Sequence, residues 1–171
     1  AKALTADSNM LSVGFTHPLS PKWLLGADYR LAEITDTKAT ATMPAMAGSG
    51  LNHVVGMQAI GNNLLGVNDV GVVNANYIKG ATYNGQALGG NYVYLLGDAW
   101  RFDLNLRYYQ QKDDLGQKQV RTSPSFKIGY RWDFVTLEAE AGQEDIKTDG
   151  PTFTERSDRK YFFLGYRLDL R

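Results

Sequence analysis

Residues 125–142 read SFKIGYRWDFVTLEAEAG. Every second residue from Phe126 is bulky and apolar, through Ile128, Tyr130 and Trp132, while Ser125, Lys127, Gly129 and Arg131 fall between them. After Asp133-Phe134 the alternation resumes in a new frame. Val135, Leu137, Ala139 and Ala141 are apolar, and Thr136, Glu138, Glu140, Gly142 and Glu144 are polar or glycine. A strand turns successive side chains to opposite faces, so this stretch predicts two antiparallel strands joined by a two-residue turn. The turn sets a register in which Trp132 faces Val135, Gly129 faces Glu138 and Lys127 faces Glu140, with Arg131 diagonal to Glu138.

The same alternation runs through the rest of the chain. It predicts strands at Asn9–His17, Trp23–Ile34, Leu51–Asn62, Val70–Lys79, Ala87–Leu96, Arg101–Lys112, Thr122–Trp132, Val135–Asp145 and Arg159–Leu170, with no helical period between them. Short connections (PLSPK, GVND, GDA, DF) alternate with longer ones, among them residues 35–50 and 146–158. Short turns on one side and long loops on the other describe an all-β, antiparallel up-and-down meander. Such a sheet must close on itself or cover its edges.

Composition narrows the function classes. Lys+Arg and Asp+Glu both number 18, so no charge excess points to nucleic acid. There is no cysteine, which removes disulfides, thiol catalysis and Cys-based zinc sites. No run of about 18 apolar residues is present to form a transmembrane helix or signal-peptide core. The opening AKALTADSN, without Met, suggests a processed or excised piece. Ten Tyr, seven Phe, three Trp and 18 Gly suit strands and turns. Alternating strands dilute their own hydropathy, so the mean hydropathy of −0.33 does not argue against a membrane.

The tryptophans say what the apolar face touches. Trp23, Trp100 and Trp132 each adjoin a short turn, and each shares the parity of its strand's apolar residues. A soluble core draws such rings to its middle, whereas a lipid–water interface collects them at a rim. At the opposite strand ends the same parity is expected to carry Tyr77, Tyr92, Tyr108, Phe126 and Phe162. Two girdles around an aliphatic band predict a face turned to lipid. The other parity carries Asp28, Arg30, Asn74, Asn76, Asn91, Asp103, Asn105, Arg107, Lys127, Arg131, Glu138, Glu140, Arg167 and Asp169. That many charges are costly in a small closed core and cheap in a wet lumen.

With these features the chain resembles a Gram-negative outer-membrane β-barrel. Its ending, RKYFFLGYRLDLR, is similar to the terminal strand that the barrel-assembly machinery recognises. Such strands usually finish on an aromatic; here the alternation ends at Leu170 and Arg171 follows. The cadence SDR-x-YFFLGYRLDL also resembles barrels that follow periplasmic tetratricopeptide repeats in polysaccharide exporters and phage receptors. The resemblance implies a bacterial outer-membrane location, with short turns in the periplasm and long loops outside.

Counting strands back from a periplasmic C-terminus puts the N-terminus outside, with nine strands between them. The expectation is therefore the C-terminal part of a larger transmembrane β-barrel, its earlier strands lying in another chain or missing. The alternative is a complete eight-stranded barrel with one strand miscounted.

For catalysis the chain offers little. Only His17 and His53 are present, at opposite ends of their strands. His53 has Ser49 and Asp36 within loop reach, a weak outline of a nucleophile, base and orienting acid. Asp145, Asp149, Glu155 and Asp158 could gather at the outer rim. No phosphate-cradling or metal-ligand spacing occurs, so the reading is a non-enzyme without cofactor or metal. Three functions fit. The first is the wall of a transport or export channel, whose partners are membrane lipid, the missing strands, and an exported polymer or small solute. The second is a surface receptor or membrane anchor. The third is a soluble ligand-binding β-barrel.

Overall fold

The computed structural model describes residues 7–36 and 47–168. Nine strands follow one another: β1 Ser8–Ser20, β2 Trp23–Ile34, β3 Gly50–Asn62, β4 Val70–Lys79, β5 Tyr83–Leu96, β6 Trp100–Asp113, β7 Lys118–Trp132, β8 Val135–Asp149 and β9 Thr154–Leu168. Every neighbouring pair is antiparallel, and the sheet order is the sequence order. No helix interrupts them among the described residues. All nine expected strands are present, and the register is continuous apart from one irregularity between Pro18 and Ser20.

The stretch that opened the sequence argument folds as its alternation dictates. Trp132 pairs with Val135, Gly129 with Glu138 and Lys127 with Glu140 across the two-residue turn. Asp133 takes a positive φ of 52° there, a backbone state that its short polar side chain tolerates.

The connections depart from expectation at the other side of the sheet. Of the long loops foreseen there, that between β2 and β3 includes residues 37–46, which lie outside the described residues. The rest are tight: residues 80–82, 114–117 and 150–153. Residues expected in loops continue the ladders instead. β5 starts at Tyr83 rather than Ala87, β7 at Lys118 rather than Thr122, and β8 runs on to Asp149. On the short side, residues 63–69 make a longer connection than the GVND motif suggested.

The sheet does not close. β1 touches only β2, β9 touches only β8, and both edge strands are exposed along nearly their full length. Nine strands with separated ends also remove the complete eight-stranded alternative for the described residues. No apolar side chain is buried among these residues, so the sheet has no core of its own.

Candidate functional site: a polar trough backed by an apolar band

Directly paired residues share a face, so the register sorts every side chain. On one face, Asp28 pairs with Gly56 and Gly56 with Asn76. Asn74 continues through Gly89 to Arg107, and Asn91 through Asn105 to Ser125. Asp103 leads through Lys127 to Glu140, Gly129 to Glu138, and Arg131 through Thr136 to Arg167. Arg30 is two residues from Asp28 on the same strand and shares its face. Thirteen of the fourteen expected polar-face residues therefore fall on one surface. Asp169 lies outside the described residues.

This face forms a trough, whose walls include Asn74, Asn105, Arg107, Ser125, Glu140 and Tyr161. Charges line it in both signs. Lys127 Nζ lies 2.8 Å from Glu138, Arg101 grips Asp103 through Nε at 2.9 Å, and Arg30 holds Asp28 at 3.0 Å. Arg121 pairs with Glu144. The expected contact of Arg131 with Glu138 is replaced. Lys127 takes that carboxylate along the diagonal, although its own Cα faces Glu140. Glu140 accepts instead from the Tyr161 hydroxyl at 2.9 Å.

Small residues let these side chains lie flat against the wall. A Cβ at Gly142 would come 2.5 Å from the Tyr161 ring, and one at Gly89 would come 2.5 Å from the Asn74 amide. Arg101, Arg121, Glu144, Arg159 and Tyr161 belong to the trough but were not among the expected residues. For Arg101 the signal was available, since it sits two residues from Asp103. Tyr161 and Phe163 were masked by the run YFF, in which both parities are aromatic.

The opposite face is apolar over a band of constant height. Trp100, Phe102, Leu104, Leu106 and Tyr108 form its stripe on β6, and Phe162, Leu164, Tyr166 and Leu168 form it on β9. Leu104 is 56% exposed and Phe162 68%. Above the band the same parity turns polar at Glu33, Lys79, Gln86, Gln110, Gln143 and Lys160. Trp23, Trp100 and Trp132 sit at its lower margin; Tyr77, Tyr108 and Phe162 are the last apolar residues at its upper margin. Phe126 is one outward residue lower, with Pro124 above it.

Tyr92 does not belong to the upper girdle. It lies in the half of β5 nearest the short turns, and its hydroxyl donates to Asp69 at 2.8 Å. Asp69 is 1% exposed and also accepts from the amides of Leu64 (2.6 Å), Leu65 (2.7 Å) and Gly66 (2.6 Å).

The residues weighed for catalysis are engaged separately. His53 Nδ1 meets the Tyr29 hydroxyl at 2.7 Å, while Ser49 donates to the Gly50 carbonyl at 2.9 Å. Asp36 accepts from the Gly48 amide. The four rim acids gather only in part: Asp145 and Asp158 face each other directly across β8 and β9, and no group of three that could hold a metal forms among the described residues. Asp145 pairs with Arg156, Asp149 with Lys147, and Asp158 with Gln143, while Glu155 falls on the opposite face.

Compared with known proteins, the chain matches no family model, no curated protein and no solved structure.

Proposed function

We propose that this chain is part of the wall of a bacterial outer-membrane β-barrel that forms a transport or export channel. The polar trough is one side of its lumen, and the apolar band is the surface it turns to lipid. The observation that carries this reading is the division of the sheet: no apolar core, one face banded and aromatic-rimmed, the other charged and mutually paired.

Two dimensions support it. From Trp100 to Tyr108 the band climbs about 26 Å along the strand. The register row that begins at Trp23, the bottom of the band on β2, arrives at Phe162, its top on β9. On β2 the top is Leu31, so the band slips by about eight residues over seven strand spacings, which corresponds to a strand tilt of about 40°. At that tilt the band is about 20 Å tall. Transmembrane barrels have bands of about 25 Å and tilts of about 35–45°.

The open edges fit a wall that other strands complete. Unpaired N–H and C=O groups are not tolerated in hydrocarbon. β1 and β9 run in the same direction, so an antiparallel ring needs an odd number of additional strands between them. These come from the same polypeptide or from another barrel chain. The reading assigns no catalytic step, no cofactor and no nucleic-acid partner; the ligand of the lumen is a polar polymer or small solute.

The test is conductance. The barrel, assembled with its complementing strands and reconstituted in a planar bilayer, should give discrete ohmic steps. A protein that inserts fully and gives no conductance would refute the channel reading.

A further inference from the structure

The connection between β3 and β4 does not hang free below the sheet; residues 63–69 fold back over its apolar face. A Cβ on Gly61 or Gly71 would collide with the Leu64 side chain, at 2.8 and 3.1 Å, and Gly61 also lies beside the Trp23 ring. Gly66 lies against the Tyr94 ring in the same way. Leu65 joins Tyr92, Tyr94, Phe102, Leu104 and Phe126 around one apolar groove. Glycines at Gly61 and Gly71 are what leave room for the loop on this face.

We propose that residues 63–69 form an apolar wedge that dips into the membrane at the short-turn rim, where Leu65 and Val67 contact lipid acyl chains of that leaflet. This rests on the reading of the apolar band as lipid-facing.

Two independent features point to lipid as the occupant. Leu65 and Val67 are 83% and 78% exposed, although the loop that carries them is tightly organised. More telling is the hydrogen bonding. The amides of Leu64, Leu65 and Gly66 all end on the Asp69 carboxylate. The Asn63 amide donates to the Asp69 carbonyl at 2.9 Å, and the Asn68 amide to Asn63 Oδ1 at 2.7 Å. Asn63 and Asn68 bend the chain at its two ends with positive φ of 53° and 65°. In water an open amide donor is solvated at little cost. In hydrocarbon it is costly, so the pairing of the Asn63, Leu64, Leu65, Gly66 and Asn68 amides suits a loop at the edge of the apolar layer. Tyr92 extends the same provision to the band, since its hydroxyl would otherwise be unpaired in lipid. The groove continues directly into the band at Leu104 and Phe126, so the surface that meets lipid there is unbroken.

The chain has no cysteine, so single-site labelling is clean. Leu65→Cys, Val67→Cys, Leu104→Cys and Asp98→Cys, each in the assembled barrel, are labelled with nitrobenzoxadiazole and placed in vesicles of phosphatidylcholine brominated on its acyl chains. Asp98 sits exposed in another short connection and reports water. The expected result is loss of label fluorescence at 65 and 67 approaching that at 104, with none at 98. Asp69→Ala in the Leu65→Cys background should bring position 65 to the level of position 98, with Asp69→Asn intermediate, while position 104 stays quenched. Quenching at 104 without quenching at 65 and 67 overturns the wedge and leaves the membrane reading standing. No quenching at 104 overturns the membrane reading itself. Unchanged quenching at 65 in Asp69→Ala overturns the carboxylate's role as the clasp.

Discussion

Replacing Leu104 with arginine is the perturbation that separates the two faces most sharply. Leu104 lies mid-strand on β6, paired with Tyr92 on one side and Phe126 on the other, and 56% exposed. Trp100 and Tyr108 mark the two margins of the band four residues away in either direction, about 13 Å along the strand. A guanidinium at this position cannot reach either margin. The cost of a cation at such a depth is about 2–4 kcal/mol, a factor of about 30 to 700 in the folding equilibrium. Asn105, the next residue, faces the trough between Asn91 and Ser125, in the same cavity as Glu140. Asn105→Arg should change stability by less than about 0.5 kcal/mol. The assay is guanidinium unfolding of the assembled barrel in lipid vesicles, followed by tryptophan fluorescence. Equal losses for the two variants, or a larger loss for Asn105→Arg, would refute the assignment of faces.

Further outcomes follow from the same geometry. Residues 1–171 refolded alone in detergent should give dimers or aggregates and no compact heat-modifiable monomer, because β1 and β9 would meet in parallel; such a monomer on a gel would show that the wall is complete. The Leu64, Leu65 and Gly66 amides all end on the Asp69 carboxylate. Their protection from hydrogen exchange should fall in Asp69→Ala, and unchanged protection would contradict the clasp. Glu138→Gln leaves Lys127 without the carboxylate it touches at 2.8 Å. Stability should move by less than about 1 kcal/mol, while the reversal potential in a salt gradient shifts towards anions; an unchanged potential would place this pair away from the conduction path.

Much of this arrangement was legible in the sequence, because period-two alternation is a local signal and survives wherever one face is apolar. It located all nine strands and, through the two-residue turn at Asp133-Phe134, the register of β7 against β8. It was silent where both faces are polar. The extension of β8 to Asp149 and the start of β9 at Thr154 are held by cross-strand pairs such as Arg156 with Asp145, which leave no hydrophobic trace. Register also gives only Cα neighbours, so the choice of Glu138 over Glu140 by Lys127 depended on side-chain reach. Tyr92 was misplaced by its residue type, since a tyrosine on the apolar parity suggested a margin although it lies four residues from the short-turn end of β5. Its partner Asp69, in the connection between β3 and β4, gave no periodic signal that this ring serves a hydrogen bond there. The fold-back of residues 63–69 was invisible because a carboxylate collecting backbone amides has no periodicity.

The most direct test of the central claim, that one face of this sheet meets lipid and the other water, is a cysteine scan along β6 from Phe102 to Arg107 in the assembled barrel. Each single-cysteine variant is assayed for reaction with a membrane-impermeant thiol reagent and, after labelling, for quenching by brominated lipid. The account predicts strict alternation: positions 102, 104 and 106 quenched by lipid and unreactive, positions 103, 105 and 107 reactive and unquenched. Uniform reactivity along the strand, with no quenching at any of the six, would contradict it.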